Sequence, residues 1–185
     1  MKVAVFIDNS NVFGNIQEMR KHGISDWVSF YDPLKLAQKL VGNRTLVEVN
    51  FYCTRPPTYL LREDEYHQRI YKITNRYYSE IEKMKEVSVK YGDITGPKGQ
   101  TIEKNLDTKI TTDLVTGAAL GKYDVAIIVS NDGDYVSGIE GIKPFGKKVE
   151  IVFFRGTLSM NLRRVSDITR RARKSFFVVL PFDKT

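Results

Sequence analysis

Residues 124–135 read Asp124-Val125-Ala126-Ile127-Ile128-Val129-Ser130-Asn131-Asp132-Gly133-Asp134-Tyr135. Five consecutive apolar residues, bounded by one acid and by an Asn/Asp/Gly cluster, describe a strand buried on both faces. Such strands belong to parallel α/β sheets, whose ligands gather beyond the C-terminal strand ends. Asp132 and Asp134 stand at that position. The start of the chain repeats the pattern, because Lys2-Val3-Ala4-Val5-Phe6-Ile7 runs directly into Asp8-Asn9-Ser10-Asn11. If the two strands are neighbours, Asp8, Asp132 and Asp134 converge.

The segments between and around these strands alternate in period. Val12, Ile16 and Met19 predict a helix over residues 11–20 that ends before Gly23, and Trp27 and Phe30 mark a connection packed through its aromatic rings. Asp32-Pro33 has the form of an N-cap followed by a first-turn proline, opening a helix to Val41. Val47, Val49, Phe51 and Tyr52 predict a second strand over 46–53, broken by Arg55-Pro56-Pro57. From Tyr59 to Lys85, Tyr66, Ile70, Ile73, Tyr77, Ile81 and Met84 recur at steps of three and four, predicting one long helix with an apolar stripe. Arg62, Arg69, Arg76 and Lys83 form a basic stripe on it, the pattern of a solvated face.

Val87, Val89 and Tyr91 alternate as a third strand, and residues 92–100 read as a loop rich in breakers. A helix then runs from Asp107 through Ile110, Leu114 and Ala118 to Gly121. After the strand at 125–129 come a short helix over 135–142, a fifth strand over 147–154 and a helix through Leu158, Leu162 and Val165. The basic run Arg170-Arg171-Ala172-Arg173-Lys174 precedes an expected last strand at 176–180. Strands alternating with helices imply right-handed crossovers and a mostly parallel sheet. A strand order of 3-2-1-4-5 would set the first and fourth strands side by side at the switch point.

The 185 residues suit a single domain, 1–185. Twenty-nine Lys and Arg oppose 22 acids, a net charge of +7 that favours polyanionic partners. With acids gathered at the sheet end, a negative site would lie in a positive surface. No run reaches the ~20 apolar residues of a membrane span, and the opening lacks the form of a signal peptide, so a soluble cytoplasmic protein is expected. Cys53 is the lone cysteine, and His22 and His67 have no ligand spacing, which argues against zinc. Crowded carboxylates repel one another unless protons or cations intervene, and hard Mg²⁺ or Mn²⁺ prefers such oxygens. These ions activate water for attack on phosphorus. Rival phosphate motifs are missing: Gly117-Ala118-Ala119-Leu120-Gly121-Lys122 is one residue short of a P-loop, and Tyr123 replaces its hydroxyl residue.

Phe6-Ile7-Asp8-Asn9-Ser10-Asn11, Lys104-Asn105-Leu106-Asp107 and Ser130-Asn131-Asp132-Gly133-Asp134-Tyr135 together resemble the NYN domain family of PIN-like ribonucleases. The resemblance spans nearly the whole chain. It implies a Rossmann-like, PIN-type three-layer α/β sandwich with a mostly parallel central sheet, and RNA cleavage with Mg²⁺ or Mn²⁺. On the matching positions Asp8, Asp107, Asp132 and Asp134 would be the metal-binding catalytic acids. Asn11 would orient Asp8 or a phosphate, Ser130 would support the loop, and Lys104 and Asp113 would lie at or near the substrate. Asp167 resembles a recurring family aspartate whose role is structural or functional. The family usually has Gly at Asn105 and Asn131, and asparagine tolerates the left-handed angles such loops use. It has Phe more often than Tyr135. The rival implied by the same fold is an RNA-binding or regulatory module with little turnover. A small-molecule phosphatase is disfavoured, since no Asp-x-Asp-x-Thr motif occurs.

Overall fold

The computed structural model describes residues 1–24, 27–96, 102–154 and 158–182. Its central sheet is parallel, with strands β1 (Lys2–Asp8), β2 (Thr45–Cys53), β3 (Val87–Tyr91), β6 (Val125–Val129), β7 (Lys148–Phe153) and β8 (Ile168–Arg171). The spatial order is β3-β2-β1-β6-β7-β8, so β1 and β6 are hydrogen-bonded neighbours with Ile7 opposite Val129. The expected order of the first five sheet strands holds, and β8 adds a sixth beyond β7.

Helices α1 (Asn9–Lys21), α2 (Pro33–Val41) and α3 (Glu65–Glu82) contribute to one face of the sheet, and α4 (Leu106–Ala119), α5 (Val136–Ile142) and α6 (Met160–Val165) to the other. The period-2 alternation of β1 creates both cores. Val3, Val5 and Ile7 pack with Val12, Ile16, Leu36 and Leu40, while Ala4 and Phe6 pack with Ile110, Leu114 and Tyr123. Gly138 lets α5 approach α4: a Cβ there would stand 2.8 Å from Thr111 Cγ2.

Three segments differ from the sequence reading. The long helix is divided: Thr58–Arg62 is a 3₁₀ turn, and α3 starts only after Asp64, whose carboxylate accepts the His67 N–H at 3.0 Å. Its apolar stripe is buried only toward the end, at Tyr77, Tyr78 and Ile81, while Tyr66 is exposed. The breaker-rich loop is flanked by a small antiparallel pair, β4 (Asp93–Thr95) and β5 (Ile102–Lys104), and residues 97–101 lie outside the described residues. Residues 176–180 do not join the sheet. Their backbone meets the segment before α2 instead, where Asp32 N–H donates to Val178 O and Leu180 N–H to Phe30 O. The sixth strand is Ile168–Arg171, unread because it holds one strong apolar residue and two arginines.

Candidate active site

Asp8 ends β1 and also caps α1, where its Oδ1 accepts the Asn11 N–H at 3.0 Å. An aspartate at that junction satisfies an orphan N–H of the first turn. Its Oδ2 accepts Ser130 Oγ–H at 3.2 Å and Tyr135 O–H at 2.8 Å, both from the loop and turn that follow β6. Asp8 is 4% exposed. Burial pushes its carboxyl up to about 6, a rise that the Asn11, Tyr135 and Ser130 donors oppose and the nearby Glu103 charge reinforces.

Beyond β6 the chain turns through a 3₁₀ segment, Gly133–Tyr135, capped by Asp132, which accepts the Asp134 N–H at 3.0 Å. Ser130 serves both acids, because its Oγ also accepts the Asp132 N–H. Asn11 bridges the two loops: its Oδ1 accepts the Asn131 N–H at 3.0 Å and Asn15 Nδ2–H at 3.0 Å. Asn131 spreads the lattice further, with its Oδ1 accepting the Phe154 N–H and its Nδ2 donating to Asn15 Oδ1. Only Asn105 of the two asparagines adopts the left-handed angle, at φ 66°. Asn131 therefore acts through side-chain hydrogen bonds that a glycine could not make.

Asp8, Asp107, Asp132 and Asp134 line one open pocket of about 230 Å³, together with Glu103, Leu106 and Tyr135. Asp107 comes from the first turn of α4. Glu103 and the hydroxyl of Tyr135 were missed in the sequence. Glu103 arrives on the β4–β5 arm and accepts Ser10 Oγ–H at 2.7 Å and a bond from Thr54 Oγ1. Its signal was adjacency to the Lys104–Asp107 block. Lys104 ends β5, exposed, and is not among the pocket-lining residues.

Asp113 lies outside this pocket, turned away from its four aspartates. It accepts Tyr52 O–H at 2.7 Å and Lys90 Nζ–H at 2.6 Å on another side of α4. Six residues at about 100° each rotate it roughly 240° from Asp107 around the helix. Asp167 lies just after α6 and outside the pocket: it accepts the Val149 N–H at 2.8 Å and pairs with Lys143. Burial alone would raise its pKa, but the Lys143 ammonium and the Val149 N–H outweigh it and hold the carboxyl low. Of the basic run, Arg170 is engaged with Glu150 and with Leu40 O.

A family model for the NYN domain matches residues 2–171. The chain belongs to the NYN domain family. NYN domains are generally nucleases. No curated protein matches the sequence. The crystal structure of a protein of unknown function from Vibrio parahaemolyticus RIMD 2210633 is similar over 96% of each chain, with a TM-score of 0.64 and 21% identity. At that identity the likeness concerns the fold. No helix among the described residues is long and apolar enough to cross a membrane.

The pocket of this NYN domain offers only oxygen donors, the set that suits Mg²⁺ or Mn²⁺. Among the described residues no three His, Cys, Asp or Glu side chains are gathered closely enough to hold an ion as placed. Asp107 and Asp134 are exposed, so packing does not fix their side chains.

Proposed function

We propose that this NYN domain, as a single unit over 1–185, is a metal-dependent endoribonuclease. It hydrolyses RNA phosphodiester bonds in the acidic pocket. The observation that carries this reading is the state of Asp8: a buried carboxylate at the β1/β6 switch point, held by three uncharged donors, in a pocket shared with Asp107, Asp132 and Asp134. A carboxylate desolvated in this way gains most from a cation brought from outside.

Mg²⁺ or Mn²⁺ held by the four aspartates would supply an activated water and neutralise charge on the phosphoryl oxygens. Asp8 is fixed in position by Asn11, Ser130 and Tyr135, so little reorganisation is needed at that oxygen pair. Ser130 keeps Asp132 in register with Asp8, while the exposed Asp107 and Asp134 would complete the set of oxygens that holds the ion. Lys104, on the arm beside the pocket, is a cation for approaching phosphates. The net charge of +7 supports capture of the polyanion.

The test is incubation of the purified protein with single-stranded and structured RNA in Mn²⁺, Mg²⁺ or EDTA, alongside Asp8→Asn. Internal cleavage is expected with either ion and is lost in EDTA and in the variant. RNA that is bound but never cut would replace this reading with that of a binding module.

A further inference from the structure

The helix that crosses from the β3 side to β6 leaves a corner of the sheet open. Strand β3 is an edge, and α4 packs over β1 and β2 instead. At this corner Tyr52 of β2 and Lys90 of β3 reach the second turn of α4, where both donate to Asp113 Oδ2. The space that remains is a groove of about 350 Å³ lined by Lys90, Tyr91, Thr108, Lys109, Thr112 and Asp113. Both sites draw on the start of α4: Asp107 lines the pocket and the next residue, Thr108, about 100° further around the helix, lines the groove.

The chemistry of the two is opposite. Four aspartates and Glu103 make the pocket negative, whereas the groove has two lysines against one aspartate. Lys90 is oriented by its 2.6 Å pair with Asp113, and Lys109 Nζ donates to Tyr91 O. Neither bond uses every ammonium hydrogen, since a lysine has three. Thr108 and Thr112 are exposed and add two hydroxyl donors one turn apart. On the outer side the Arg55 guanidinium lies 4.1 Å from the centre of the Tyr91 ring, adding positive charge beyond the groove although it also pairs with Glu82.

We propose that this groove is a nucleotide subsite that holds the phosphate and sugar next to the scissile bond of an RNA strand, through Lys90, Lys109, Thr108 and Thr112. The occupant follows from charge complementarity and from the groove's place on the same helix start as the acidic pocket, and its volume lies in the range of small-ligand sites. The proposal rests on the ribonuclease reading. A strand cut in the pocket would continue along the first two turns of α4 toward Lys90 and Tyr91.

The test measures the binding of a labelled single-stranded RNA octanucleotide in EDTA, and its cleavage in Mn²⁺, for the parent, Thr112→Glu, Lys109→Ala and Thr116→Glu. Thr112→Glu places a carboxylate in the groove without removing a bond, and Thr116→Glu makes the same charge change one turn further along the helix. At ~0.15 M salt, where charges are screened beyond about 8 Å, Thr112→Glu is expected to weaken binding on the order of tenfold and raise KM. Lys109→Ala should weaken it several-fold and reduce the salt slope by ~0.7. Thr116→Glu, about 5.4 Å further along the helix and so only partly screened, should weaken binding less than Thr112→Glu. Melting temperatures report whether each variant folds, and Thr112→Glu decides if Lys109→Ala does not. A parent that binds and cuts RNA, with Thr112→Glu unchanged in affinity and KM, overturns the subsite and leaves the ribonuclease reading standing. A parent that neither binds nor cuts RNA overturns both.

Discussion

Two carboxylates buried in neighbouring parts of the sheet are treated in opposite ways. Glu150 of β7 is 3% exposed and is met by two guanidiniums, Arg44 at 2.6 Å and Arg170. The same arginines donate to Leu40 O and Val41 O at the end of α2, so the trio ties α2, β7 and β8 together. Cations at a helix C-terminus are also favoured by the helix dipole. Asp8 is 4% exposed and receives an amide and two hydroxyls but no cation. The chain can neutralise a buried acid with its own arginines and does so where the acid serves architecture. At Asp8 it supplies aim without charge, which leaves the compensation to a proton or to an external ion.

The largest expected effect breaks the compensated member. Glu150→Ala leaves two guanidiniums without their shared partner and should destabilise the fold by about 3 kcal/mol or more, read by urea unfolding. The same substitution should leave the affinity for Mn²⁺ unchanged.

The uncompensated member should announce itself through pH. In the metal-free protein Asp8 has a folded pKa of about 6 against an ordinary 3.8, so between these values the folded state holds a proton that the unfolded chain has lost. Stability therefore falls as pH rises from about 4 and the loss is complete above about 6, amounting to ~3 kcal/mol from this group. Asp8→Asn should flatten that segment of the stability–pH curve and, at pH 7 without metal, melt above the parent. An identical pH profile in the two proteins would remove the distinction between Asp8 and Glu150.

Metal should act on one member only. Mn²⁺ at a hundred times its dissociation constant should stabilise the parent by ~2.7 kcal/mol, several degrees in melting temperature. The shift should be much smaller in Asp8→Asn and in Asp132→Asn. An equal shift in all three would place the ion elsewhere.

The smallest effect concerns the donors around Asp8. Tyr135→Phe removes a hydroxyl that stabilises the ionised carboxylate and should cost ~1.5 kcal/mol at pH 7. At pH 4, where Asp8 is protonated, the cost should be less. The carboxyl should also titrate higher than in the parent, measurable by carboxyl NMR.

Much of this was legible because it is local. The strands β1 and β6 are continuous apolar runs, and the acids that follow them must emerge at the same sheet edge once the two strands pair. Asp32 could be read as a cap because capping is a three-residue event, and it accepts the Lys35 N–H at 2.9 Å. Strand β8 was hidden because edge strands need few apolar residues. Its arginine is matched by Glu150, 20 positions earlier, and no periodicity records such a pairing. Glu103 was hidden for a related reason, since its place in the pocket depends on how the β4–β5 arm folds back. Gly92 permits that fold: a Cβ there would meet a Leu106 side-chain carbon at 2.9 Å.

The sequence by itself determined the alternation of strands and helices, the strand ends that carry Asp8, Asp132 and Asp134, and the helix start that carries Asp107. These depend on residue order over a few positions. The tertiary structure alone decided that Asp8 is buried among uncharged donors, that Tyr135 and Glu103 join its pocket, and that Asp113 faces Tyr52 and Lys90. Those outcomes depend on which face each helix presents and on which distant groups enter the same low-dielectric space. Burial and charge pairing are properties of neighbours in space, and neighbours in space are set only when the sheet is assembled.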